Sequence, residues 1–226
     1  LSGVLQFKQR DGNRSNFNTN VRVSATDAAL TLEGPLFKKD KKESNTSFLL
    51  SVRRSYLQAL FELIGLPIRP NYWDYQYKLS HKIDDYNDLY FLGLGSIDDF
   101  SVEAADEFDE QAQAILEQAP FIEQKTNSSG VTWKKRFQDG SGFMSTTVSK
   151  NRLENIFTTY LDPQNETGII FRNDAIESET KLRYELTKFV NDWKIVGGFN
   201  TQHSFYPNDT QNNTDNIFFN TEIDFM

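Results

Sequence analysis

The segment from Trp73 to Ile83 alternates between apolar and polar side chains. It reads WDYQYKLSHKI, in which every odd position except His81 is aromatic or aliphatic and every even position is polar. A period of two that holds for about eleven residues indicates a β-strand longer than most strands of soluble proteins. One face of such a strand requires an apolar medium, whereas the other requires water or a polar lumen.

Similar alternating segments recur along the chain, and we count about ten long strands by the spacing of turn signals. The predicted connections alternate between short turns and longer loops, which is typical of outer-membrane β-barrels. The pattern therefore predicts an all-β, antiparallel transmembrane β-barrel with short helices in its extracellular loops. A soluble β-sandwich that binds a ligand or a carbohydrate is the alternative, because a sandwich also consists of alternating strands.

Several segments are predicted to lie outside the long strands. Residues Ser55 to Ile64 are predicted to form a helix, with Ser55 as its cap and Gly65 as its terminator. The remaining predictions are a short first strand, a Lys-rich turn, an acidic insert with a loop helix, and two loops: Gly3–Arg10, Phe37–Asn45, Asp98–Ser129, Pro163–Ile176 and Pro207–Asn216.

The composition excludes several classes of protein. The 226 residues carry a net charge of −8, which disfavours nucleic acid as a partner. No run of about 18 apolar residues predicts a membrane-spanning helix, yet aromatic residues make up 14% of this polar chain. The chain contains no cysteine, which suits passage through an oxidising compartment.

Arg53, Arg54 and Asp74 are the candidate binding residues. Both arginines follow an alternating strand, and Arg53 shares its polar face with Ser51. One interpretation is that the arginines contact a ligand or an internal domain. The other, which we favour, is an ion pair between Arg53 and either Glu33 or Asp74.

The sequence predicts no metal site, no cofactor and no enzymatic activity. An acidic cluster could in principle bind calcium, but a solvated loop helix is the favoured interpretation of its residues: Asp98, Asp99, Glu103, Asp106, Glu107, Asp109 and Glu110. His81 and His203 are far apart, so a zinc site is not expected. Motifs for a catalytic serine, a phosphate loop or a dinucleotide site are absent from the sequence.

The order of several motifs resembles that of TonB-dependent outer-membrane receptors of the Bacteroidetes type. The segment GVLQFKQRDGN at Gly3 resembles the last strand of their plug domain, and LTLEGPL and SFLLSVRRSY resemble their first barrel strands. The segments YQYKL, LGLGSID and NDWKI extend the resemblance along nearly the whole chain.

The resemblance implies that residues 1–13 end a plug domain and that residues 14–226 form the N-terminal portion of a plugged barrel of 22 strands. The chain is then expected to be a fragment of a larger protein in the outer membrane of a Gram-negative bacterium. Such a transporter imports a siderophore, a vitamin, a glycan or a peptide, powered by the TonB complex through a region N-terminal to Leu1. Outer-membrane lipid and a surface lipoprotein are further partners of this kind of protein.

In a barrel, aromatic side chains at the lipid boundary anchor the strands. On this interpretation the even residues of the Trp73 strand face the lumen, and the following rings face lipid: Tyr72, Trp73, Tyr75, Tyr77, Trp133, Phe137, Tyr184 and Trp193. The alternative is that these rings form an ordinary sheet core.

Overall fold

The computed structural model describes residues 8–37, 43–102, 120–213 and 217–225. They form one antiparallel sheet of ten strands in chain order, in which β1 and β10 are not paired with each other, so the sheet is open. The prediction of an all-β antiparallel fold of about ten strands is confirmed. The elements are β1 (Asn18–Val23), β2 (Asp27–Leu36), β3 (Thr46–Ser55), α1 (Leu57–Leu63), β4 (Ile68–Lys82), β5 (Asn87–Val102), β6 (Phe121–Arg136), β7 (Gly142–Asp162), β8 (Thr167–Val190), β9 (Trp193–Asn212) and β10 (Ile217–Phe225).

Several strands are longer than predicted. The predicted acidic insert is shorter, because β5 continues to Val102 and β6 already begins at Phe121. The loops predicted at Pro163–Ile176 and Pro207–Asn216 are wrong, since β8 begins at Thr167 and β9 continues to Asn212. These polar segments pair with neighbouring strands and so satisfy their backbone groups without apolar side chains.

Two further predictions lie partly or wholly outside the described residues. The loop helix of the acidic insert falls on residues 103–119, which the structure does not describe. Of the predicted Gly3–Arg10 strand, only residues 8–10 are described, and they are not in a strand.

The helix α1 confirms the prediction at Ser55–Ile64. The predicted cap is wrong, because Tyr56 is the N-cap residue and makes no side-chain capping bond, although the Ser55 hydroxyl oxygen accepts the N–H of Leu57, the first residue of α1, at 3.2 Å. Gly65 has φ = +73°, the left-handed conformation that commonly ends a helix. No helix within the described part of the chain is long and apolar enough to cross a membrane.

The connections fall at two ends of the sheet. At one end, the turn end, β4 joins β5, β6 joins β7 and β8 joins β9, each through five residues or fewer. The other end, the loop end, carries α1 and the connection of residues 103–120, but β1 joins β2, β7 joins β8 and β9 joins β10 there through four residues or fewer. At the turn end, β2 joins β3 through nine residues. The predicted alternation of short turns and longer loops is therefore wrong for these four connections. The tight turns have the expected chemistry: Asp84 accepts the N–H groups of Tyr86 and Asn87 at 2.7 and 2.8 Å, and Asn191 adopts φ = +52°.

Strand pairing separates the side chains onto two faces. In the centre of the sheet, Lys78 of β4 lies opposite Leu49 of β3 and Leu92 of β5, whereas Tyr77 lies opposite Leu50 and Gly93. We call the face that carries Lys78 the polar face and the face that carries Tyr77 the apolar face.

The apolar face carries a continuous band of large hydrophobic side chains. Yet among the described residues only one hydrophobic side chain, Leu49, is buried in the sheet, whereas Trp73 is 45% exposed. The described sheet therefore has no apolar core of its own. We call the following residues the apolar band: Val21, Val23, Leu30, Leu32, Phe48, Leu50, Val52, Trp73, Tyr75, Tyr77, Leu79, Leu89, Phe91, Ile97, Val131, Trp133, Met144, Val148, Leu182, Tyr184, Leu186, Trp193, Ile195 and Phe199.

The apolar band crosses the strands obliquely. In β1 its residues share hydrogen-bonded rows with Trp73 and Tyr75 of β4. Where the same two rows reach β7, the side chains are the charged Glu154 and Arg152, so the band no longer lies on these rows. In β9 the band lies closer to the turn end, from Phe199 to Trp193. Read along the register, the band shifts by about one residue for each strand toward the turn end.

Glycines in β5 make room for two tyrosines within the band. A Cβ atom at Gly93 would overlap the ring of Tyr77, and one at Gly95 would overlap the hydroxyl of Tyr75. The two tyrosine rings are parallel, with centroids 6.5 Å apart. Each ring thus covers a backbone segment that has no side chain, which is a known way to stabilise glycine within a sheet.

Candidate functional site

A groove of about 770 Å³ lies on the polar face. Its floor consists of paired hydroxyl groups, with Thr31 and Ser51 2.9 Å apart and Ser96 and Thr126 2.8 Å apart. The side chains that line it come from six neighbouring strands: Asn20, Arg22, Thr31, Ser51, Arg53, Tyr72, Asp74, Gln76, Leu94, Ser96, Asp98 and Thr126. Hydroxyl and amide groups dominate this surface, so it is suited to hydrogen-bond a polar ligand or a polypeptide.

Arg53 and Asp74 form an ion pair inside the groove. The two residues are register partners in β3 and β4, and both Nε and one terminal nitrogen of Arg53 lie 2.6 Å from one carboxylate oxygen of Asp74. The guanidinium also lies over the ring of Tyr72, 5.5 Å from its centroid. The structure thus selects Asp74 between the two predicted partners, and Glu33 pairs with Arg10 instead.

Arg54 does not join this pair. It lies on the apolar face, where its guanidinium stacks over the ring of Trp73 at 4.8 Å and donates to the amide oxygen of Asn71. The structure therefore brings Arg53 and Asp74 together and places Arg54 on the opposite side of the sheet.

A second paired arginine adjoins the groove. Arg22 of β1 donates to Asp27 at 3.0 Å. The alternation of Asn20 and Arg22 with Val21 and Val23 in the sequence carries the signal for this position. Because both arginines of the groove are paired, the groove is close to charge balance around them.

Residues 8–12 lie along the polar face, and we call them the N-terminal strap. Lys78 donates to the carbonyl oxygen of Gln9 at 2.9 Å and forms an ion pair with Asp11 at 2.7 Å. Ser80 donates to the same carboxylate at 2.8 Å. Ser80 is fully buried under the strap and the side chain of Lys78 is 12% exposed, so the strap covers the part of the polar face nearest the turn end.

Close packing of backbone against backbone also holds the strap. A Cβ atom at Gly12 would overlap the carbonyl oxygen of Phe48 in β3, so only glycine allows this approach. Arg10 forms an ion pair with Glu33 of β2. Sequence reasoning missed all of these contacts.

The contacts of the strap shift the pKa values of two of its charged residues, Asp11 and Arg10. Burial raises the pKa of Asp11, but hydrogen bonds from Lys78 and Ser80 outweigh it, so the pKa lies below its usual value. The hydrogen bond to Glu33 raises the pKa of Arg10. Both groups are therefore held in their charged forms at neutral pH.

The acidic cluster and the histidines stay apart in the described residues. Asp98 lies on the polar face and Asp99 on the apolar face of β5, and the other five acids of the cluster lie outside the described residues. His81 is bonded to Thr46 at 2.7 Å, whereas His203 pairs with Asp224 at 2.7 Å. Within the described ranges, no three His, Asp or Glu residues are grouped as metal ligands.

Two predicted lipid-facing rings lie elsewhere. Tyr72 is on the polar face, under Arg53 and opposite Asp98, and Phe137 follows β6 in a turn. Tyr72 is at an even position, where side chains of the Trp73 strand are expected to face the lumen, and β6 ends at Arg136, one residue before Phe137. The other six predicted rings lie on the apolar face: Trp73, Tyr75, Tyr77, Trp133, Tyr184 and Trp193.

No protein-family model matches the chain, and no curated protein matches it.

Proposed function

We propose that the sheet is part of the wall of a TonB-dependent outer-membrane transporter. On this proposal the apolar band contacts membrane lipid, and the polar face with its groove lines a lumen. The one-sided band is the reason to invoke lipid, because water does not favour so much exposed apolar surface on one contiguous face.

The oblique course of the band is the observation that carries the proposal. A band parallel to a membrane crosses tilted strands obliquely. A shift of about one residue, or roughly 3.3 Å, for each strand spacing of about 4.8 Å corresponds to a strand tilt of about 35°. Strands of outer-membrane barrels tilt by about 35–45°.

The lengths of the strands support the same arrangement. β7, β8 and β9 contain 21, 24 and 20 residues, whereas a bilayer needs about 9–11 residues of a tilted strand. Beyond the band toward the loop end, the apolar face of β7 carries Lys150, Arg152 and Glu154. Strands that extend out of the membrane into water would have this pattern.

The strap supports the proposed domain boundary. Its residues lie on the polar face and hydrogen-bond to Lys78 and Ser80. The end of a plug domain, proposed for residues 1–13, would enter the lumen in this way. The Arg53–Asp74 pair is then a lumen pair at the margin of a ligand or plug surface.

The transport role comes from the sequence resemblance. It implies import of a siderophore, a vitamin, a glycan or a peptide, with energy from the TonB complex. A surface lipoprotein is a proposed partner on the extracellular side. The balanced, hydroxyl-rich groove would suit the polar groups that these nutrients share.

Flotation with lipid vesicles tests the membrane proposal. We expect the full chain, refolded with phospholipid vesicles, to float with them on a density gradient and to resist extraction by salt and alkali. The control is the same chain without vesicles. A chain that stays soluble and monomeric without detergent, and remains at the bottom of the gradient, would instead indicate a soluble ligand-binding module.

A further inference from the structure

A shallow cleft of about 240 Å³ opens on the apolar face, at the margin of the apolar band that is nearer the loop end. Tyr75 and Ile97 belong to the band, and Lys125, Asn127, Arg152 and Glu154 form the side toward the loop end. We call these six residues the outer cleft. It lies on the opposite side of the sheet from the groove.

The strand register and two short contacts hold the outer cleft in shape. Asn127 of β6 donates to the hydroxyl of Tyr75 at 2.6 Å, so the ring is fixed at the boundary between apolar and polar surface. Arg152 lies opposite Asn127, and its guanidinium contacts Glu154 at 2.6 Å. A guanidinium has five donors, so one carboxylate leaves several of them for a second anion.

Charge along the apolar face changes in a definite order. Toward the turn end of the cleft the surface is apolar, with Tyr77 and Phe91 in contact. The cleft itself and the neighbouring Lys150 supply three exposed cations, Lys125, Lys150 and Arg152, against the one carboxylate of Glu154. One step further toward the loop end the face is acidic, with Asp99 opposite Glu123.

We propose that the outer cleft binds the phosphate group of a membrane lipid, with the acyl chains lying along the apolar band. This inference rests on the proposed membrane location of the sheet. Cations placed directly above an apolar surface match an anionic headgroup attached to hydrocarbon chains. A soluble phosphate compound would gain nothing from the adjoining apolar surface, which is why a lipid is the occupant that the arrangement favours.

The position of Trp73 gives a direct readout. Trp73 lies in the same hydrogen-bonded row as Ile97 and Lys125, two strands from the lysine. Replacing Trp133 and Trp193 by phenylalanine leaves Trp73 as the only tryptophan, since the chain has three. Lipids with brominated acyl chains then quench its fluorescence when they lie beside it.

The experiment compares brominated phosphatidic acid with brominated phosphatidylcholine in vesicles that contain the full single-tryptophan chain. Each cation near a membrane enriches anionic lipid about fivefold. Three cations against one carboxylate leave a net excess of two, so we expect phosphatidic acid to reach half-maximal quenching at a mole fraction about 25-fold lower than phosphatidylcholine. The double substitution Lys125→Gln and Arg152→Gln should abolish this difference while quenching by phosphatidylcholine stays the same.

Arg183→Gln is the matched control. Arg183 and Glu185 form a pair with the same two-residue spacing and the same 2.6 Å distance as Arg152 and Glu154, but on the polar face. The preference for phosphatidic acid should survive this substitution. Unchanged quenching by phosphatidylcholine in each variant shows that the variant is folded and inserted.

The outcomes separate the two proposals. Equal quenching by both lipids in the parent chain overturns the lipid site and leaves the membrane location intact. Loss of the preference in Arg183→Gln as well would also overturn it, because net charge rather than the cleft would then select the lipid. Absence of quenching by either lipid contradicts the membrane location itself.

Discussion

Replacing Phe91 by arginine is expected to destabilise the chain in a lipid bilayer by about 2–4 kcal/mol, the cost of a cation on the lipid face of a barrel. Phe91 lies in the middle of the apolar band and contacts Tyr77, with ring centroids 5.2 Å apart. The measurement is the free energy of unfolding by urea in phospholipid vesicles.

Leu94→Arg is the control for Phe91→Arg. Leu94 is in the same strand but on the polar face, and the two side chains are similarly exposed, at 54% and 41%. If the sheet were soluble, both positions would face water and each substitution would change the free energy of unfolding by about 0.5 kcal/mol or less. Equal effects of the two substitutions would therefore contradict a lipid-covered apolar face.

Gly12→Ala is expected to release the N-terminal strap. The added methyl group would overlap the carbonyl oxygen of Phe48, and both of these atoms belong to the backbone or are fixed to it. Overpacking of this kind costs about 1–3 kcal/mol, or roughly a fivefold to 150-fold increase in the released population. A nitroxide on a cysteine at the exposed position Lys8 would report the release as a gain in mobility.

Gly197→Ala provides the matched control, since a Cβ atom there has open space around it. A strap that stays immobile in Gly12→Ala would show that the close contact with β3 does not hold it.

Acid should release the strap in the parent chain as well. The pKa of Asp11 is lower in the folded chain than its ordinary value of 3.8. The contribution of ionised Asp11 to holding the strap is therefore complete above pH 3.8 and is lost as the pH falls through the lower, folded value.

The parity of the strands could be predicted from the sequence where one face is apolar and the other polar. This holds for β4, and it correctly placed Arg53 and Asp74 on one face. Parity likewise places Arg54 on the apolar face and Tyr72 on the polar face, as the structure has them.

The strand ends could not be predicted in the same way. The polar residues around Pro207 look like a loop, yet they pair with β8 and β10. Alternation fails as a signal there because both faces of the strands lie beyond the apolar band and carry polar side chains. The pairing itself is non-local, so it leaves no local pattern in the sequence.

The strap was also beyond prediction. Lys78 and Ser80 contact Gln9 and Asp11 across 69 positions of the chain. No alternation or turn signal encodes such a distant contact. Gly12 stands in an Asp-Gly-Asn sequence that is typical of a turn, whereas its role is to allow close approach to Phe48.

A nitroxide scan along β8 tests the central claim most directly, and the absence of native cysteine makes single-cysteine variants straightforward. In vesicles, oxygen should reach labels best at Leu182, Tyr184 and Leu186, and a water-soluble nickel complex should reach them best at Arg183 and Glu185. Because the band crosses the strands obliquely, Thr180 should be reached by nickel although it shares the face of Leu182. Equal access of both reagents to the two faces would contradict a sheet with lipid on one side and water on the other.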